Sequence, residues 1–233
     1  MLGAIIGDIV GSRFEFNNIR RKDFDFFTDQ CVVTDDSIMT LAVAKAILMS
    51  QPDYRNLSKN AVECMQTIGR CYPGYGYGDR FYRWIFAENL KPYNSYGNGS
   101  AMRVSAAGFA AHSLDEAKLL SKLVTEVTHN HPEGMKGAEA TAVAVYLAKT
   151  GKDIQEIRDY INQHYYTMDF TLDEIRDTYR FNESCQGTVP QALQAFFEST
   201  DFEDAIRNAI SIGGDSDTVA AICGGAVCTL LFN

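Results

Sequence analysis

The sequence predicts a mostly α-helical single domain, and three observations support this fold class. Apolar side chains recur at about 3.6 residues per turn along most of the chain. No segment alternates apolar and polar residues over a useful length, and Val32-Val33 is too short to predict a strand. Residues 219–232 are apolar on every face, as expected of a helix inside a bundle.

The helical patterns follow one another in order, with loops where Gly, Pro and polar residues cluster. In the first pattern Ile38, Leu41, Ala42, Leu48 and Met49 share one face, and the pattern closes before a proline. The 114–127 pattern follows Ser113, which together with Glu116 three residues later has the spacing of a capping box. Helices are predicted over residues 36–50, 98–111, 114–127, 133–149, 153–163, 191–198, 202–210 and 216–231.

The last of these helices is predicted to be buried at the centre of the domain. A membrane span needs roughly 20 apolar residues. The run here is shorter and starts at an acidic cluster. Gly224 and Gly225 would let neighbouring helices approach closely, so a central helix is favoured over a membrane anchor.

Size, charge and cysteine usage limit the class of protein. The 233 residues, 46% of them hydrophobic, are enough for one domain spanning residues 1–233. The net charge of −9 argues against a protein that holds nucleic acid through phosphate contacts, but not against a phosphorylated ligand in a local pocket. The six cysteines form no C-x-x-C pair, and the first residues lack the basic region of a signal peptide. We therefore expect a cytoplasmic protein with reduced cysteines.

Two short acidic clusters stand near opposite ends of the chain, each before a long apolar run. The first is residues 34–37 (Thr-Asp-Asp-Ser), and the second is residues 213–218 (Gly-Gly-Asp-Ser-Asp-Thr). Together they offer four carboxylates and two threonine hydroxyls, the hard oxygen donors that Mg²⁺ and Mn²⁺ prefer. The pattern predicts a two-metal site assembled from the two ends of the chain.

Helix capping is the alternative interpretation of these clusters. Acids in a first turn interact favourably with the helix dipole, by about 0.3–1 kcal/mol each. Asp35 and Asp36, however, point in different directions on a first turn, so both cannot be ideal caps. Asp215 and Asp217 lie between two glycines and a wholly apolar helix, where an unpaired charge is costly. Cations would relieve both problems, which favours metal binding.

Three other segments suggest contacts with a ligand. Residues 95–103 form a Gly-rich turn before a helix, where backbone N–H groups suit a phosphate. Residues 128–133 place two of the four histidines before another helix. Residues 72–84 combine glycines with aromatic side chains and are expected to open as a loop and end as a helix. Each pattern is also that of an ordinary capped or packed loop, so both interpretations stay open.

Glu15 lies between Phe14 and Phe16, after a run of small residues. A carboxylate between aromatic rings can have an altered proton affinity and serve as an acid or base. A surface acid is the alternative for a lone glutamate.

Taken in order, these segments resemble the ADP-ribosylglycohydrolase family, which includes the dinitrogenase reductase-activating glycohydrolase and the ADP-ribosylarginine and ADP-ribosylserine hydrolases. The resemblance covers nearly the whole chain. It rests on residues 3–15, 34–37, 97–103, 128–132 and 213–218. The two acidic motifs are specific when they occur together at opposite ends of an all-helical chain.

The resemblance implies an orthogonal helical bundle with a binuclear Mg²⁺ or Mn²⁺ centre at the floor of a cleft. By motif match, the metal ligands would be Thr34, Asp35, Asp36, Asp215, Asp217 and Thr218. Residues binding the diphosphate and distal ribose would be Gly97, Asn98, Gly99, Ser100, Met102, Arg103 and His129. The base toward water would be one of Glu15, Asp35 or Asp36, and the match does not decide among them.

The implied activity is hydrolysis at C1″ of an ADP-ribosylated protein or small molecule, with release of ADP-ribose. An arginine-type linkage is expected first; a serine-type linkage, O-acetyl-ADP-ribose or a nucleic acid end are alternatives, because the short chain can lack acceptor-side loops. A catalytically silent ADP-ribose-binding or immunity protein is the competing class. A helical isoprenoid synthase is disfavoured, because the D-D-x-x-D pattern would need an acid where Met39 stands.

Overall fold

The computed structural model describes residues 1–88 and 91–230 and confirms the predicted all-α fold class. These two ranges contain helices and no strand, with an isolated antiparallel bridge between Gly97 and Ser184. The helices are α1 (Leu2–Gly11), α2 (Asp35–Ser50), α3 (Leu57–Cys71), α4 (Asp79–Phe86), α5 (Gly99–Met102), α6 (Ser105–Ala110), α7 (Leu114–Thr125), α8 (Pro132–Lys149), α9 (Ile154–His164), α10 (Leu172–Ile175), α11 (Cys185–Phe197), α12 (Phe202–Ser211) and α13 (Ser216–Leu230).

Helix α13 is the central element of the fold, as predicted. Every side chain from residue 216 to residue 228 is buried, and the helix packs against α1, α8, α11 and α12. A helix without a polar face is stable only when other helices cover it all round. The last residue of the predicted helix, 231, lies outside the described ranges.

Three glycines at four-residue spacing bring α1 against α13. A Cβ added to Gly3 would lie 2.2 Å from the carbonyl oxygen of Gly224, and one added to Gly7 would lie 2.1 Å from that of Ala220. At Gly11 the distance to the Cα of Asp217 would be 2.6 Å. The two helices therefore touch backbone to backbone, and this contact brings the start of the chain to the second acidic motif.

The exposed and buried faces of α2 differ from those predicted. Leu41, Leu48 and Met49 are 48%, 68% and 50% exposed. The core side of the helix instead presents Met39 and Val43, which are fully buried. Ile38 and Ala42, which the prediction placed on the same face, are buried. The prediction of one shared face is therefore wrong only in part, because this helix is largely apolar and its periodicity does not single out one face.

The predicted helix over residues 98–111 is wrong as one element. The chain forms α5 and α6, and Arg103 and Val104 between them have ψ of −2° and −6°. At this break the side chain of Arg103 turns into the interior, where it is 1% exposed. The interruption of the helix thus positions a buried cation.

One other helix begins earlier than predicted, and three helices were not predicted at all. Helix α11 begins at Cys185, six residues before the predicted start at residue 191, and Pro190 lies inside it. Prolines normally mark a helix boundary because they lack a backbone N–H, which explains the late prediction. Helices α1, α3 and α10 fall outside the predicted helices. Within the described part of the chain, no helix is long and apolar enough to cross a membrane.

Candidate active site

Asp8, on α1, holds the first acidic motif in place. Its carboxylate is fully buried. It accepts hydrogen bonds from the Thr34 N–H at 3.1 Å, the Thr34 hydroxyl at 2.6 Å and the Ser37 N–H at 3.0 Å. Two of these donors are backbone groups at the N-terminus of α2, which have no partner inside the helix. Asp8 therefore fixes the position and direction of this helix start.

Asp8 is a site residue that no sequence motif singles out. The signal was an acid in a segment made otherwise of apolar residues and glycines. Such an acid is buried when the segment packs as a helix, and a buried carboxylate needs donors.

A tight turn positions the second acidic motif. Gly213 and Gly214 have φ of +66° and +79°, in the left-handed region that favours glycine. The Asn18 side chain accepts from the Gly214 N–H at 2.7 Å and donates to the Gly214 carbonyl at 2.9 Å. Asn98 donates from Nδ2 to Asp215 Oδ2 at 2.7 Å. Three distant parts of the chain thus meet at this turn.

The two acidic motifs come together beside Asp8 and Glu15. Two overlapping groups place one carboxylate oxygen per residue within 4.8 Å of one another: Asp8, Asp36 and Asp217 in one, and Glu15, Asp215 and Asp217 in the other. The Thr218 hydroxyl donates to Asp36 Oδ2 at 3.1 Å. We call Asp8, Glu15, Asp35, Asp36, Asp215 and Asp217 the acidic cluster.

Burial and mutual repulsion shift the proton affinities of these acids. Burial, followed by the charge on Asp217, raises the pKa of Asp35 and of Asp36 well above the usual range. Burial and then the charge on Asp215 do the same to the pKa of Asp217. The pKa of Asp215 is raised to about 6, mainly by burial. The protein alone therefore does not balance the negative charge that this arrangement concentrates.

The residues present fit a site for divalent cations. Asp36 Oδ1 is buried and has no hydrogen-bond partner among the described residues. No Lys or Arg in the described ranges forms an ion pair with a member of the acidic cluster. All donors are hard oxygens, which suit Mg²⁺ or Mn²⁺ better than softer metals. An orphaned buried oxygen amid uncompensated carboxylates is the environment that a cation would complete.

The Tyr- and Gly-rich segment lies against Asp35. The Asp35 N–H donates to the Tyr75 carbonyl at 2.7 Å. Gly76 has φ of +98°, and a Cβ there would lie 3.0 Å from Asp35 Oδ1. The segment is a loop that ends in helix α4, as expected from the sequence, and the missing side chain of Gly76 leaves space beside the Asp35 carboxylate.

Glu15 follows a short 3₁₀ turn (Ser12–Phe14) and lies at the edge of the cluster, half-buried. Burial, and then the charges of Asp217, Asp8 and Glu183, raise its pKa to about 8. The sequence predicted an altered proton affinity from the flanking rings. The main causes are burial and neighbouring acids, while Phe14 packs edge-on against Phe24.

The acidic cluster, apart from Asp8, lines a cavity of about 380 Å³ together with a second group of side chains. Arg103 donates to the Thr128 hydroxyl at 2.8 Å and lies over the Phe81 ring at 5.2 Å. His129 accepts from or donates to the same hydroxyl at 2.7 Å. Arg80, Phe81, Tyr93, Arg103 and His129 all line the cavity and form what we call the basic-aromatic cluster.

Burial also shifts the groups of the basic-aromatic cluster. It lowers the pKa of Arg103 to about 10 and that of His129 well below its usual range. Arg103 stays charged near neutral pH, and its Nε–H is buried with no acceptor among the described residues. A donor without an acceptor, beside a cavity, suits an anionic ligand.

The structure separates the seven predicted substrate-binding residues into two groups. Those that line the cavity are Gly97, Asn98, Gly99, Met102, Arg103 and His129. Ser100 is fully buried, and its hydroxyl donates to the Gly134 carbonyl at 2.9 Å. Of the six predicted metal ligands, Thr34 is the one absent from the lining, since its hydroxyl donates to Asp8.

Comparisons with known proteins agree on one family. A family model described as ADP-ribosylglycohydrolase matches residues 1–231. The ADP-ribosylarginine hydrolase Tri1 of Pseudomonas putida is 28% identical over 255 residues, which cover 96% of this chain and 67% of that protein. Human ADP-ribosylhydrolase ARH3 is 23% identical over 308 residues, covering 96% of this chain and 82% of that protein.

One further match covers only about half of each protein, and another is to a solved structure. An uncharacterized protein of Archaeoglobus fulgidus is 30% identical over 142 residues, so the match spans 54% of this chain and 47% of that protein. A solved structure titled ADP-ribosylglycohydrolase-related protein complex superposes with a TM-score of 0.74 at 22% identity, covering 98% of this chain and 84% of that one. At that identity the superposition shows the shared helical fold.

Proposed function

The chain belongs to the ADP-ribosylglycohydrolase family, and from this premise we propose that it is a metal-dependent hydrolase that cleaves the glycosidic bond at C1″ of ADP-ribosyl groups. The products would be ADP-ribose and the freed acceptor. The substrate would be an ADP-ribosylated protein or small molecule in the cytoplasm. The six free cysteines of the chain fit such a reducing compartment.

The observation that carries this proposal is the pairing of two opposite clusters in one cavity. The acidic cluster is suited to cations and to a sugar that becomes positive in the transition state. The basic-aromatic cluster offers the buried guanidinium of Arg103 to a diphosphate and ring faces to a base. ADP-ribose has both parts, with the distal ribose at one end and the diphosphate and adenine toward the other.

We propose that the metal ligands are Thr34, Asp35, Asp36, Asp215, Asp217 and Thr218. Two Mg²⁺ or Mn²⁺ ions, when bound, would act as Lewis acids toward the ribose hydroxyls and the attacking water. Asp8 would orient Thr34 by accepting a hydrogen bond from its hydroxyl. The same oxygen accepts from the Asp36 N–H at 3.3 Å, which leaves one lone pair for a cation.

In the proposed reaction the water oxygen attacks C1″ as the bond to the acceptor breaks. The carboxylates of the cluster stabilise the positive charge that develops on the ribose. Glu15 takes the proton of the water; its carboxylate is half-buried and is not held by an ion pair or hydrogen bond within the described ranges. An arginine acceptor leaves as a neutral guanidine and takes up a proton. Asp35 and Asp36 are the alternative bases.

An arginine-type linkage is the first candidate, since the Pseudomonas relative is an ADP-ribosylarginine hydrolase. A serine-type linkage and O-acetyl-ADP-ribose come next. A catalytically silent ADP-ribose-binding or immunity protein is the competing function, and the presence of every acid of the two motifs argues against it.

A panel of substrates tests the proposal. ADP-ribosylarginine, ADP-ribosylserine and O-acetyl-ADP-ribose would be incubated with and without Mg²⁺ or Mn²⁺, and free ADP-ribose measured. We expect metal-dependent release that is lost in Asp35→Ala and Asp217→Ala. Metal-dependent ADP-ribose binding by calorimetry, without turnover of any substrate, would instead show the silent binder.

A further inference from the structure

Two chain segments face each other at the mouth of the cavity, beside the acidic cluster. One carries Glu15 and Phe16, and the other carries Phe181 and Glu183. The rings of Phe16 and Phe181 stack with centroids 6.1 Å apart at an interplanar angle of 22°. They are 80% and 43% exposed, although aromatic rings usually lie inside. Phe181 and both glutamates line the cavity.

Glu183 is held in this place by the backbone. Its carbonyl accepts from the Asn98 N–H at 2.7 Å, and the Cys185 N–H donates to the Tyr96 carbonyl at 2.9 Å. These bonds flank the bridge between Gly97 and Ser184. Because the Asn98 side chain also donates to Asp215, the segment of Glu183 is tied directly to the acidic cluster.

The carboxylate of Glu183 differs from those of the proposed metal ligands. It is exposed, whereas Asp36, Asp215 and Asp217 are buried. It forms no ion pair with a cation in the described part of the chain. The buried, unpartnered Asp36 Oδ1 lines the same cavity, so Glu183 faces a space that already has an unsatisfied polar atom on its wall. Glu183 lies farther out, where the acceptor would enter and leave.

We propose that Glu183, with the Phe16–Phe181 pair, forms an acceptor subsite that recognises a guanidinium group. A guanidinium is planar, always charged, binds carboxylates through two N–H groups and stacks on aromatic rings. The acetyl group of O-acetyl-ADP-ribose has no positive charge, and a serine acceptor carries none at its oxygen. The inference rests on the proposed function, and makes Glu183 a specificity-determining residue.

The test compares Glu183→Gln with the matched control Glu63→Gln, an exposed glutamate on α3 that does not line the cavity. We expect Glu183→Gln to raise the KM for ADP-ribosylarginine about tenfold, the scale of one lost charge-assisted hydrogen bond. The KM for ADP-ribosylserine and for O-acetyl-ADP-ribose should change less than about twofold. Inhibition by agmatine, a guanidinium without ADP-ribose, should weaken in parallel, while product inhibition by ADP-ribose stays constant.

Two further variants separate charge from structure. Glu183→Asp should retain part of the preference for arginine, and Phe181→Leu should lower it by a smaller factor than Glu183→Gln. Equal losses on charged and uncharged acceptors would overturn the inference, as would an unchanged KM for ADP-ribosylarginine.

Failure of the proposed function is a distinct result. If the wild type hydrolyses only uncharged acceptors, the guanidinium subsite is wrong while hydrolysis stands. If the wild type hydrolyses none, the proposed function fails, and calorimetry then decides the subsite. Tighter binding of ADP-ribosylarginine than of ADP-ribosylserine, lost in Glu183→Gln, would support it, and equal binding would overturn it.

Discussion

The acidic cluster and the basic-aromatic cluster share one cavity but are held together differently. The acids come from three distant parts of the sequence and repel one another, with Asp36 Oδ1 left unpartnered. Arg103 is equally buried and its Nε–H also lacks an acceptor, but its guanidinium has a hydroxyl partner and a ring beneath it. The basic side is therefore preformed by its own contacts, whereas the acidic side is brought together by the surrounding helices and, in the proposed function, would be completed by cations.

The helix contact that forces the acids together can be broken at Gly7. Gly7→Ala would place a methyl group 2.1 Å from the Ala220 carbonyl, so α1 must shift away from α13. We expect a loss of about 3 kcal/mol in the free energy of unfolding, or no folded protein, measured by urea denaturation. At Gly74 an added Cβ meets nothing within 4 Å, so Gly74→Ala is the control and should be nearly neutral.

On the basic side, Arg103→Lys tests whether the cation is part of the framework. A lysine keeps the charge but loses the planar contact with Phe81 and the geometry of the bond to Thr128. We expect a loss of about 2 kcal/mol in stability and weaker ADP-ribose binding by calorimetry. Arg83→Lys, on the exposed side of α4, should leave both unchanged. Wild-type stability in Arg103→Lys would contradict a preformed basic side.

The acidic side should respond with the opposite sign. Asp36→Asn removes one charge from a buried, repelling group whose pKa is raised, so the metal-free protein should become about 1 kcal/mol more stable. Hydrolysis and the stabilisation by Mn²⁺ should both be lost. Thermal unfolding with and without Mn²⁺ measures this, and a destabilised metal-free variant would show that the acids do not oppose folding.

The smallest effect on binding is expected at Ser100. Its hydroxyl donates to the Gly134 carbonyl and does not line the cavity. Ser100→Ala should therefore change ADP-ribose affinity by less than about twofold while lowering stability by about 1 kcal/mol. A tenfold loss of affinity with unchanged stability would return Ser100 to the substrate-binding residues that the sequence motif suggests.

Sequence reasoning predicted helices best where apolar spacing and caps agree. Helices α7 and α12 begin at their predicted residues, and both follow a serine or aspartate that caps them. Helix α1 was missed because Gly3, Gly7 and Gly11 lower helix propensity, although the packing on α13 requires them. Local propensity and tertiary contact conflict there, and the contact wins.

The candidate site could be predicted from the sequence only in part, for a related reason. Acids grouped in short motifs, such as Asp35 with Asp36, are visible in a sequence, whereas Asp8 is a single acid on a helix that was not predicted. The Phe16–Phe181 stack joins residues far apart in the chain, so only the folded structure brings Glu183 beside Glu15. Single residues that reach the site from distant parts of the chain form no motif in the local sequence, so they could not be predicted.

Diffraction from crystals grown with Mn²⁺, measured at the manganese absorption edge, tests the central claim most directly. The account predicts anomalous peaks between the carboxylates of Asp36 and Asp217, within bonding distance of both. Peaks confined to the protein surface, or none at all at millimolar Mn²⁺, would contradict it.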